Sequence, residues 1–306
     1  MKKTSEPIVF FGSGPVAAES LRLLLEHQTV EAVITKPRAP HHRGSVPVLE
    51  LAEALHLPVH TVENRKQLTA LFDDARFESR LGVLIDFGII ISQDVINYFP
   101  LGIINSHFSV LPQWRGADPI TFSILSGQEQ TGVSIMLLTA GMDEGPLLGY
   151  GEFDMPSGIT TPELTEDLIS LSDALLQHDL PRYMAGESHG VPQDITGREV
   201  SYSRKLTKDD GVLDFSKPAN MLEREIRAFI EWPKSRATLG DMDIVVTKAH
   251  VVHESGKAGT VAIIDKLPVV YCGESALALD MLKPAGKKEM TGQAFLAGYK
   301  SHILGN

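Results

Sequence analysis

The stretch PIVFFGSGPVAAESLRLLL, residues 7–25, decides the fold class. It begins with an apolar run that ends at the turn sequence Gly12-Ser13-Gly14-Pro15, and Leu21, Leu24 and Leu25 then recur at helical spacing. This order predicts a strand, a tight turn and a helix, which is how a βαβ unit begins.

The same alternation continues through the first half of the chain. Short apolar runs predict strands at 30–35, 81–85, 102–105 and 133–138, and the stretches between them predict helices near 47–56, 64–72 and 117–126. A further helix starts at Thr160-Thr161-Pro162-Glu163 and ends near Met184. Strands that alternate with helices are typical of a doubly wound, Rossmann-like and mostly parallel sheet.

The second half predicts a different architecture. Residues 185–202 are rich in Gly, Ser, Pro and polar side chains, which is typical of a linker. Beyond them a helix is predicted at 216–229, with strand-like runs at 244–252, 260–264, 269–272 and 277–282. We therefore expect an α/β domain at 1–184, a linker at 185–202 and a small OB-like β-barrel domain at 203–306.

Composition narrows the class of protein. The 306 residues carry a formal charge of −11, which argues against an indiscriminate nucleic-acid binder, and no apolar span reaches membrane length. The single cysteine, Cys272, excludes an internal disulfide framework and is expected to be a buried small hydrophobe. We expect a cytoplasmic protein.

The charge is unevenly distributed along the chain. Residues 1–190 hold 12 Lys and Arg against 24 Asp and Glu, whereas residues 191–306 hold 16 against 15. The less acidic second half is therefore the better candidate for contact with a phosphate backbone.

The turn Gly12-x-Gly14-x-x-Ala17 matches the dinucleotide-binding fingerprint in its relaxed form. No acidic residue ends the second predicted strand, where Val33-Ile34-Thr35-Lys36 stands, so a tight first turn is the better interpretation. A nicotinamide-dependent oxidoreductase is the last-ranked alternative.

Stronger candidates for chemistry follow the apolar run 102–104. Asn105 and His107 are two residues apart, so in a strand they project from one face, at the carboxyl end where open α/β sheets bind ligands. Asp143 lies in the Gly-rich turn Gly141-Met142-Asp143-Glu144-Gly145 that ends a later strand. Taken alone, His107 is also consistent with an ordinary hydrogen-bonded histidine, and Asp143 with simple turn chemistry.

Together these segments resemble the folate-dependent formyltransferases. The carriers of the resemblance are Asn105-Ser106-His107-Phe108-Ser109-Val110-Leu111-Pro112, Arg115-Gly116 and the Gly141–Gly145 turn. The resemblance implies an enzyme whose catalytic residues are Asn105, His107 and Asp143.

The second half resembles the members of this family that act on methionyl-tRNA. Its matching segments are 202–210 (YSRKLTKDD), 213–215 (LDF), 227–229 (RAF), Trp232-Pro233 and 283–290 (KPAGKKEM). The resemblance implies transfer of a formyl group from 10-formyltetrahydrofolate to the α-amino group of methionyl initiator tRNA, for translation initiation. It implies no metal, no membrane and no DNA partner.

The resemblance also assigns binding residues. For the folate donor they are Asp86, Phe87, Gly88, Ile89, Ser109, Val110, Leu111, Pro112 and Gly141. For the tRNA or its aminoacyl end they are Arg43, Arg115, Gly116, Arg204, Lys205, Lys208, Lys287 and Lys288. Each basic residue taken singly is also consistent with a solvated surface charge.

Formyl transfer to an amine passes through a tetrahedral intermediate whose oxygen becomes negative, while the incoming nitrogen loses a proton. Asn105 is expected to donate to that oxygen with help from His107, and Asp143 to hold the charge of the histidine and relay the proton. Two alternatives remain open: an amino-sugar formyltransferase with the same first-domain chemistry, and a non-catalytic RNA-binding or regulatory relative.

Overall fold

The computed structural model describes residues 6–38 and 44–304. Its contacts divide the chain into two compact units. The first comprises Met1–Ala117, Gln130–Asp154 and Thr165–Ser203, and the second comprises Asp118–Glu129, Met155–Leu164 and Arg204–Asn306. Residues 185–202, the predicted linker, are thus grouped with the first unit, and the predicted helix near 117–126 with the second.

The first unit alternates strands with helices. Its strands are β1 (Ile8–Phe11), β2 (Val30–Thr35), β3 (Val59–Thr61), β4 (Gly82–Leu84), β5 (Ile103–His107), β6 (Arg115–Gly116), β7 (Gln130–Leu137), β8 (Leu147–Asp154) and β9 (Tyr202–Ser203). Its helices are α1 (Pro15–His27), α2 (Pro47–Ala54), α3 (Arg65–Asp74), α4 (Gln93–Tyr98) and most of α6 (Thr161–Met184), with a 3₁₀ turn at Gln193–Thr196.

Seven of these strands form one sheet in the order β3-β2-β1-β4-β5-β7-β8. The pairs among β1 to β5 are parallel, whereas β7 is antiparallel to both β5 and β8. All four residues of β1 are buried and apolar, because this central strand is covered on both faces. The predicted doubly wound, mostly parallel sheet is confirmed.

An aromatic cluster packs one face of this sheet. The ring of Phe11 in β1 lies 5.7 Å from Phe87 and 6.1 Å from both Phe72 and Phe99, measured between centroids. Offset and edge-to-face contacts at these separations stabilise a core beyond its buried area. The cluster fixes β1 relative to the segment that follows β4, where part of the candidate site lies.

The second unit is built on an antiparallel sheet. Its strands are β10 (Ser235–Leu239), β11 (Met242–Val252), β12 (Val261–Ile264), β13 (Leu267–Tyr271), β14 (Ala276–Pro284) and β15 (Met290–Thr291). They follow the order β10-β11-β14-β13-β12, and β15 pairs with β14. Its helices are α5 (Pro119–Ser126), α7 (Ala219–Ala228) and α8 (Gly292–Leu304), with a 3₁₀ turn at Lys208–Gly211. A separate, small barrel-like β-domain, as predicted, is therefore present.

The core of the second unit lies between this sheet and its helices. Leu222 and Ile226 of α7 and Phe295 of α8 pack with apolar residues of β11 and β14. Cys272 is buried in the same core, and burial raises the pKa of its thiol to about 11. The thiol therefore stays protonated at neutral pH, as expected for a structural cysteine.

None of the helices described is both long enough and apolar enough to cross a bilayer.

Candidate active site

The side chains of Asn105 and His107 lie on one face of β5. Ser106, between them, faces α6, since its Oγ is 2.6 Å from Ser172 Oγ. Because successive side chains of a strand alternate between faces, Asn105 and His107 share the face opposite α6. Both residues are buried, at the end of a strand that pairs with β4 and β7.

The imidazole of His107 is fixed by one clear hydrogen bond. Its Nε2 lies 3.0 Å from the carbonyl oxygen of Trp114. A carbonyl only accepts, so Nε2 carries the hydrogen and donates. The chemically available nitrogen is therefore Nδ1.

The carboxylate of Asp143 faces that nitrogen. Asp143 Oδ2 lies 3.8 Å from His107 Nδ1, and both side chains are largely buried, with 16% and 6% of their surface exposed. This separation exceeds a hydrogen bond, which leaves the pair as an ion pair when the imidazole is protonated.

The main chain holds Asp143 in an unusual conformation. Asp143 has a φ of 50°, in the left-handed region, and its Oδ2 accepts a hydrogen bond from the Gly116 amide at 2.7 Å. Gly116 has a φ of 107°, and a Cβ there would lie 2.5 Å from the Ser203 carbonyl oxygen, so the position requires glycine. β6 and β9 meet at this point, pairing Gly116 with Ser203.

The turn that carries Asp143 is equally tight. A side chain at Gly145 would overlap the carbonyl oxygen of Leu137, and one at Gly141 would overlap the carboxylate of Glu144. Gly141, for which the resemblance predicts a folate contact, thus belongs to the same turn as Asp143. Gly145 allows the turn to fold back on the end of β7, because its close contact is with a main-chain oxygen, whereas the contact at Gly141 is with the end of an exposed side chain.

Arg115 and Gln193 also contact this turn. Gln193 Nε2 donates to the carbonyl oxygens of Asp143 at 2.8 Å and Gly145 at 2.9 Å. Arg115 donates from Nη2 to Gln193 Oε1 at 2.7 Å, and its Nη1 lies 3.5 Å from Glu144 Oε1. The guanidinium of Arg115, predicted to bind substrate, is therefore engaged within the protein.

The loop after His107 is held by buried serines. Ser134 Oγ donates to the Ser109 carbonyl oxygen at 2.8 Å and accepts from the Leu111 amide at 2.9 Å. Ser109, Val110, Leu111 and Pro112 are all buried. Their side chains fix the path of the chain beside His107, so a ligand in the site meets the shape that they impose.

A second segment, Asp86–Ile89, follows β4. Asp86 has a left-handed φ of 44°, and its carbonyl oxygen accepts from the Ser13 amide at 3.0 Å. Its carboxylate lies against Gly14, where any Cβ would overlap Oδ2. A side chain at Gly14 would therefore displace the Asp86 carboxylate, which places the Gly-rich first turn in contact with this segment.

The rest of this segment alternates between buried and accessible residues. Phe87 is buried in the aromatic cluster, whereas Gly88 is exposed, with a left-handed φ of 66°. Lys36 Nζ donates to the Gly88 carbonyl oxygen at 3.2 Å. Ile89 is half-buried, and the next residue, Ile90, has 77% of its surface exposed.

The basic residues predicted to contact tRNA in the second half lie on the surface of the second unit. All five are exposed: Arg204, Lys205, Lys208, Lys287 and Lys288. The guanidinium of Arg204 donates to both carboxylate oxygens of Asp210, at 2.5 and 2.9 Å, and holds the pKa of that carboxyl well below its usual range. Arg43, the remaining predicted contact, lies outside the described residues.

Within 6–38 and 44–304, no group of three or more His, Cys, Asp or Glu side chains is placed to hold a metal ion. The polar groups of the first unit instead form a row of a carboxamide, an imidazole and a carboxylate. Such a row suits acid-base chemistry at a reacting carbonyl.

Two family models together match most of the chain. The model described as formyl transferase matches residues 7–176, and the model of its C-terminal domain matches residues 205–300. This chain belongs to the formyl transferase family. The family and the class of enzyme predicted from the sequence are thereby confirmed.

Curated relatives of this formyl transferase extend over nearly its whole length. The methionyl-tRNA formyltransferase of Myxococcus xanthus is 36% identical over 300 residues, which cover 96% of this chain and 95% of the relative. That of Ectopseudomonas mendocina is 38% identical over 287 residues, which cover 92% and 91%.

Solved structures share the fold. The N-formyltransferase from Helicobacter canadensis, crystallised with folinic acid and dTDP-3-aminofucose, superimposes with a TM-score of 0.67. The superposition covers 91% of this formyl transferase and 99% of that chain, at 18% sequence identity. At this identity the likeness concerns the fold alone.

Sequence reasoning missed Gln193 and the Trp114 carbonyl. Gln193 lies in a polar stretch with no apolar periodicity, so nothing local distinguishes it from a linker residue. Trp114 contributes a main-chain atom, which no side-chain pattern identifies.

Proposed function

We propose that this formyl transferase transfers the formyl group of 10-formyltetrahydrofolate to the α-amino group of methionyl initiator tRNA, in the cytoplasm, for translation initiation. The choice of methionyl-tRNA as the acceptor is supported by one observation. The chain is similar over nearly its full length, including the C-terminal domain, to relatives named methionyl-tRNA formyltransferase. The observation that supports the reaction is the row formed by Asn105, His107 and Asp143.

The carbonyl oxygen of the formyl group needs a hydrogen-bond donor as it becomes negative. Asn105 is buried at the end of β5, where a carboxamide is shielded from water and its donors act at full strength. His107, when protonated at Nδ1, supplies a second donor and a positive charge on the same face of the strand.

The attacking amine must lose a proton as the new C–N bond forms. Asp143 Oδ2 and His107 Nδ1, 3.8 Å apart, are close enough for an ammonium or a water to contact both. The proton then moves from the amine nitrogen to this pair, and the amine of tetrahydrofolate leaves with a proton returned from it. No covalent bond between enzyme and formyl group is required.

The donor would bind against the segment after β4 and the loop after His107. A pteridine ring is flat and carries polar edges, so it suits main-chain groups next to an apolar surface. Asp86 and Gly88 expose polar atoms there, and Ile90 exposes an apolar side chain beside them. The buried Ser109–Pro112 loop would shape the wall next to the reacting carbon.

The exposed lysines after β14 give a prediction for tRNA binding. Replacing Lys287 and Lys288 together by Ala should weaken tRNA binding and lower the slope of log K against log salt by about 2, since each phosphate contact contributes about one unit. Filter binding between 50 and 200 mM salt measures this slope. The matched control replaces Lys257 and Lys300, also exposed in the second unit, and should leave the slope within about 0.5 of wild type. Equal slopes for both double variants would remove Lys287 and Lys288 from the interface.

The acceptor is tested with labelled formyl donor and a panel of amines. Methionyl initiator tRNA should become formylated, whereas deacylated initiator tRNA and a nucleotide-linked amino sugar should not. Formylation of the amino sugar instead would establish the alternative acceptor. Binding of the folate with no transfer to any acceptor would contradict the proposal and favour the non-catalytic alternative.

A further inference from the structure

The buried amide of Gln193 uses its whole hydrogen-bonding capacity on the Asp143 turn and on Arg115. Gln193 is 6% exposed. Its Nε2 donates to two carbonyl oxygens, those of Asp143 and Gly145, and its Oε1 accepts from Nε and Nη2 of Arg115 at 3.2 and 2.7 Å. Since carbonyls only accept and a guanidinium only donates, only one orientation of the amide satisfies all four bonds.

The backbone of Asp143 adopts a conformation that depends on its surroundings. A non-glycine residue with φ near 50° is in a sparsely populated region and persists only where its surroundings impose it. Gln193 makes two hydrogen bonds to this turn, one to the carbonyl of Asp143 itself and one to the carbonyl of Gly145, both on the C-terminal side of the Asp143 Cα. The first fixes the peptide plane that follows the Asp143 Cα, and the second holds the turn at Gly145.

A second hydrogen bond fixes the other end of the same side chain. The Gly116 amide donates to Asp143 Oδ2, and Gly116 directly follows Arg115 in β6. The Arg115 backbone and side chain therefore act on both ends of Asp143, the first through Gly116 and the second through Gln193. Together they set the 3.8 Å approach of Oδ2 to His107 Nδ1.

We propose that Gln193 is a positioning residue for formyl transfer: its amide, oriented by Arg115, holds Asp143 in the left-handed conformation that aims its carboxylate at His107. The inference rests on the proposed function in that it takes Asp143 to act on the transferred proton. It assigns a role in the reaction to a residue of the stretch that sequence reasoning interprets as a linker.

Two variants separate the amide donors from the volume of the side chain. Gln193→Ala removes the N–H donors and the side-chain volume. Gln193→Glu keeps the volume and the contact with Arg115, but it places a carboxylate oxygen, which does not donate, against the two carbonyl oxygens. Both should lower kcat by about 10- to 100-fold, the cost of a misplacement of about 1 Å, with the KM for the folate donor changed by less than about threefold. Ile195→Ala, in the same 3₁₀ turn and 53% exposed, is the matched control and should retain kcat.

A double-mutant cycle with Asp143→Asn tests whether Gln193 acts through Asp143. If it does, Gln193→Ala should change the single-turnover rate of the Asp143→Asn enzyme by less than about twofold. An equal loss in both backgrounds, or a wild-type kcat for Gln193→Glu, would overturn the proposal.

Hydrogen exchange gives a readout that does not depend on activity. In Gln193→Ala, peptides that cover the Gly116 amide and the 141–145 turn should exchange at least about fivefold faster, while peptides from α1 are unchanged. Unchanged exchange at Gly116 together with unchanged kcat would reject the role of Gln193. Faster exchange and a lower melting temperature without folate, together with an unchanged kcat, would also reject the role of Gln193 in the reaction. Absence of transfer by the wild type would instead reject the proposed function and leave the hydrogen bonds of Gln193 as described.

Discussion

Asp143→Asn is expected to lower kcat for formyl transfer by about 10²- to 10⁴-fold, the range typical of a lost general acid-base group. The carboxamide keeps the shape of the side chain, and its oxygen still accepts from the Gly116 amide. It carries no charge, however, so it neither takes up the amine proton nor stabilises a protonated His107 across 3.8 Å. Single-turnover rates at saturating donor and acceptor measure the loss, because they exclude product release.

The control for this variant lies one residue away. Glu144 is in the same turn, with 52% of its side chain exposed, and its only ion pair is a 3.5 Å contact with Arg115 within the described chain. A single 3.5 Å contact with a half-exposed carboxylate contributes little, so Glu144→Gln should stay within about twofold of the wild-type rate. A near-wild-type rate for Asp143→Asn, or an equal loss in both variants, would show that the carboxylate of Asp143 takes no part in proton transfer.

The fold class was predictable because the sheet is mostly parallel. Strands buried on both faces are rich in apolar residues: β1 is apolar throughout, and the apolar residues of β2 and the start of β5 form short runs of the same kind. Helix α8 was missed, since Gly292 and Gly298 interrupt its sequence and its helical conformation depends on Phe295 packing into the core of the second unit. Tertiary packing decides such elements, and local propensity does not reveal it.

The sequence also did not predict that α5 belongs to the second unit. The sequence places this helix between two strands of the first sheet, where a βαβ unit predicts a covering helix. In the structure Arg224 of α7 donates from Nε to the Leu125 carbonyl oxygen of α5 at 3.1 Å. That bond joins residues 99 positions apart, a distance over which no periodicity carries information.

In the candidate site, too, some residues could be predicted from local sequence and others could not. The sequence made Asn105 and His107 candidates because two residues at one strand end share a face, and Asp143 because glycines mark a turn in which the backbone approaches its neighbours closely. The partners that fix them come from elsewhere: Gln193 is 50 residues from Asp143 in sequence. Arg115 was assigned to substrate from the resemblance, and the structure adds its contact with Gln193, which only the folded chain discloses.

Asn105 is expected to show the second large effect. Asn105→Ala should lower kcat by about 10²- to 10³-fold, as removal of one oxyanion donor does in other acyl transfers, with little change in the KM for the donor. A carboxamide that meets the oxygen only as it becomes negative stabilises the transition state more than the bound substrate. Single-turnover transfer to methionyl initiator tRNA is the measurement.

Asn105→Asp sharpens this test because it preserves the volume and shape of the buried side chain. At neutral pH it replaces the donor by a negative acceptor at the position where the formyl oxygen becomes negative, so its rate should fall at least as far as that of Asn105→Ala. A loss confined to Asn105→Ala would mean that Asn105 serves to pack the end of β5, since only the alanine leaves a cavity there. If both variants lose activity while melting within a few degrees of the wild type, the carboxamide acts on the reaction through its N–H donors.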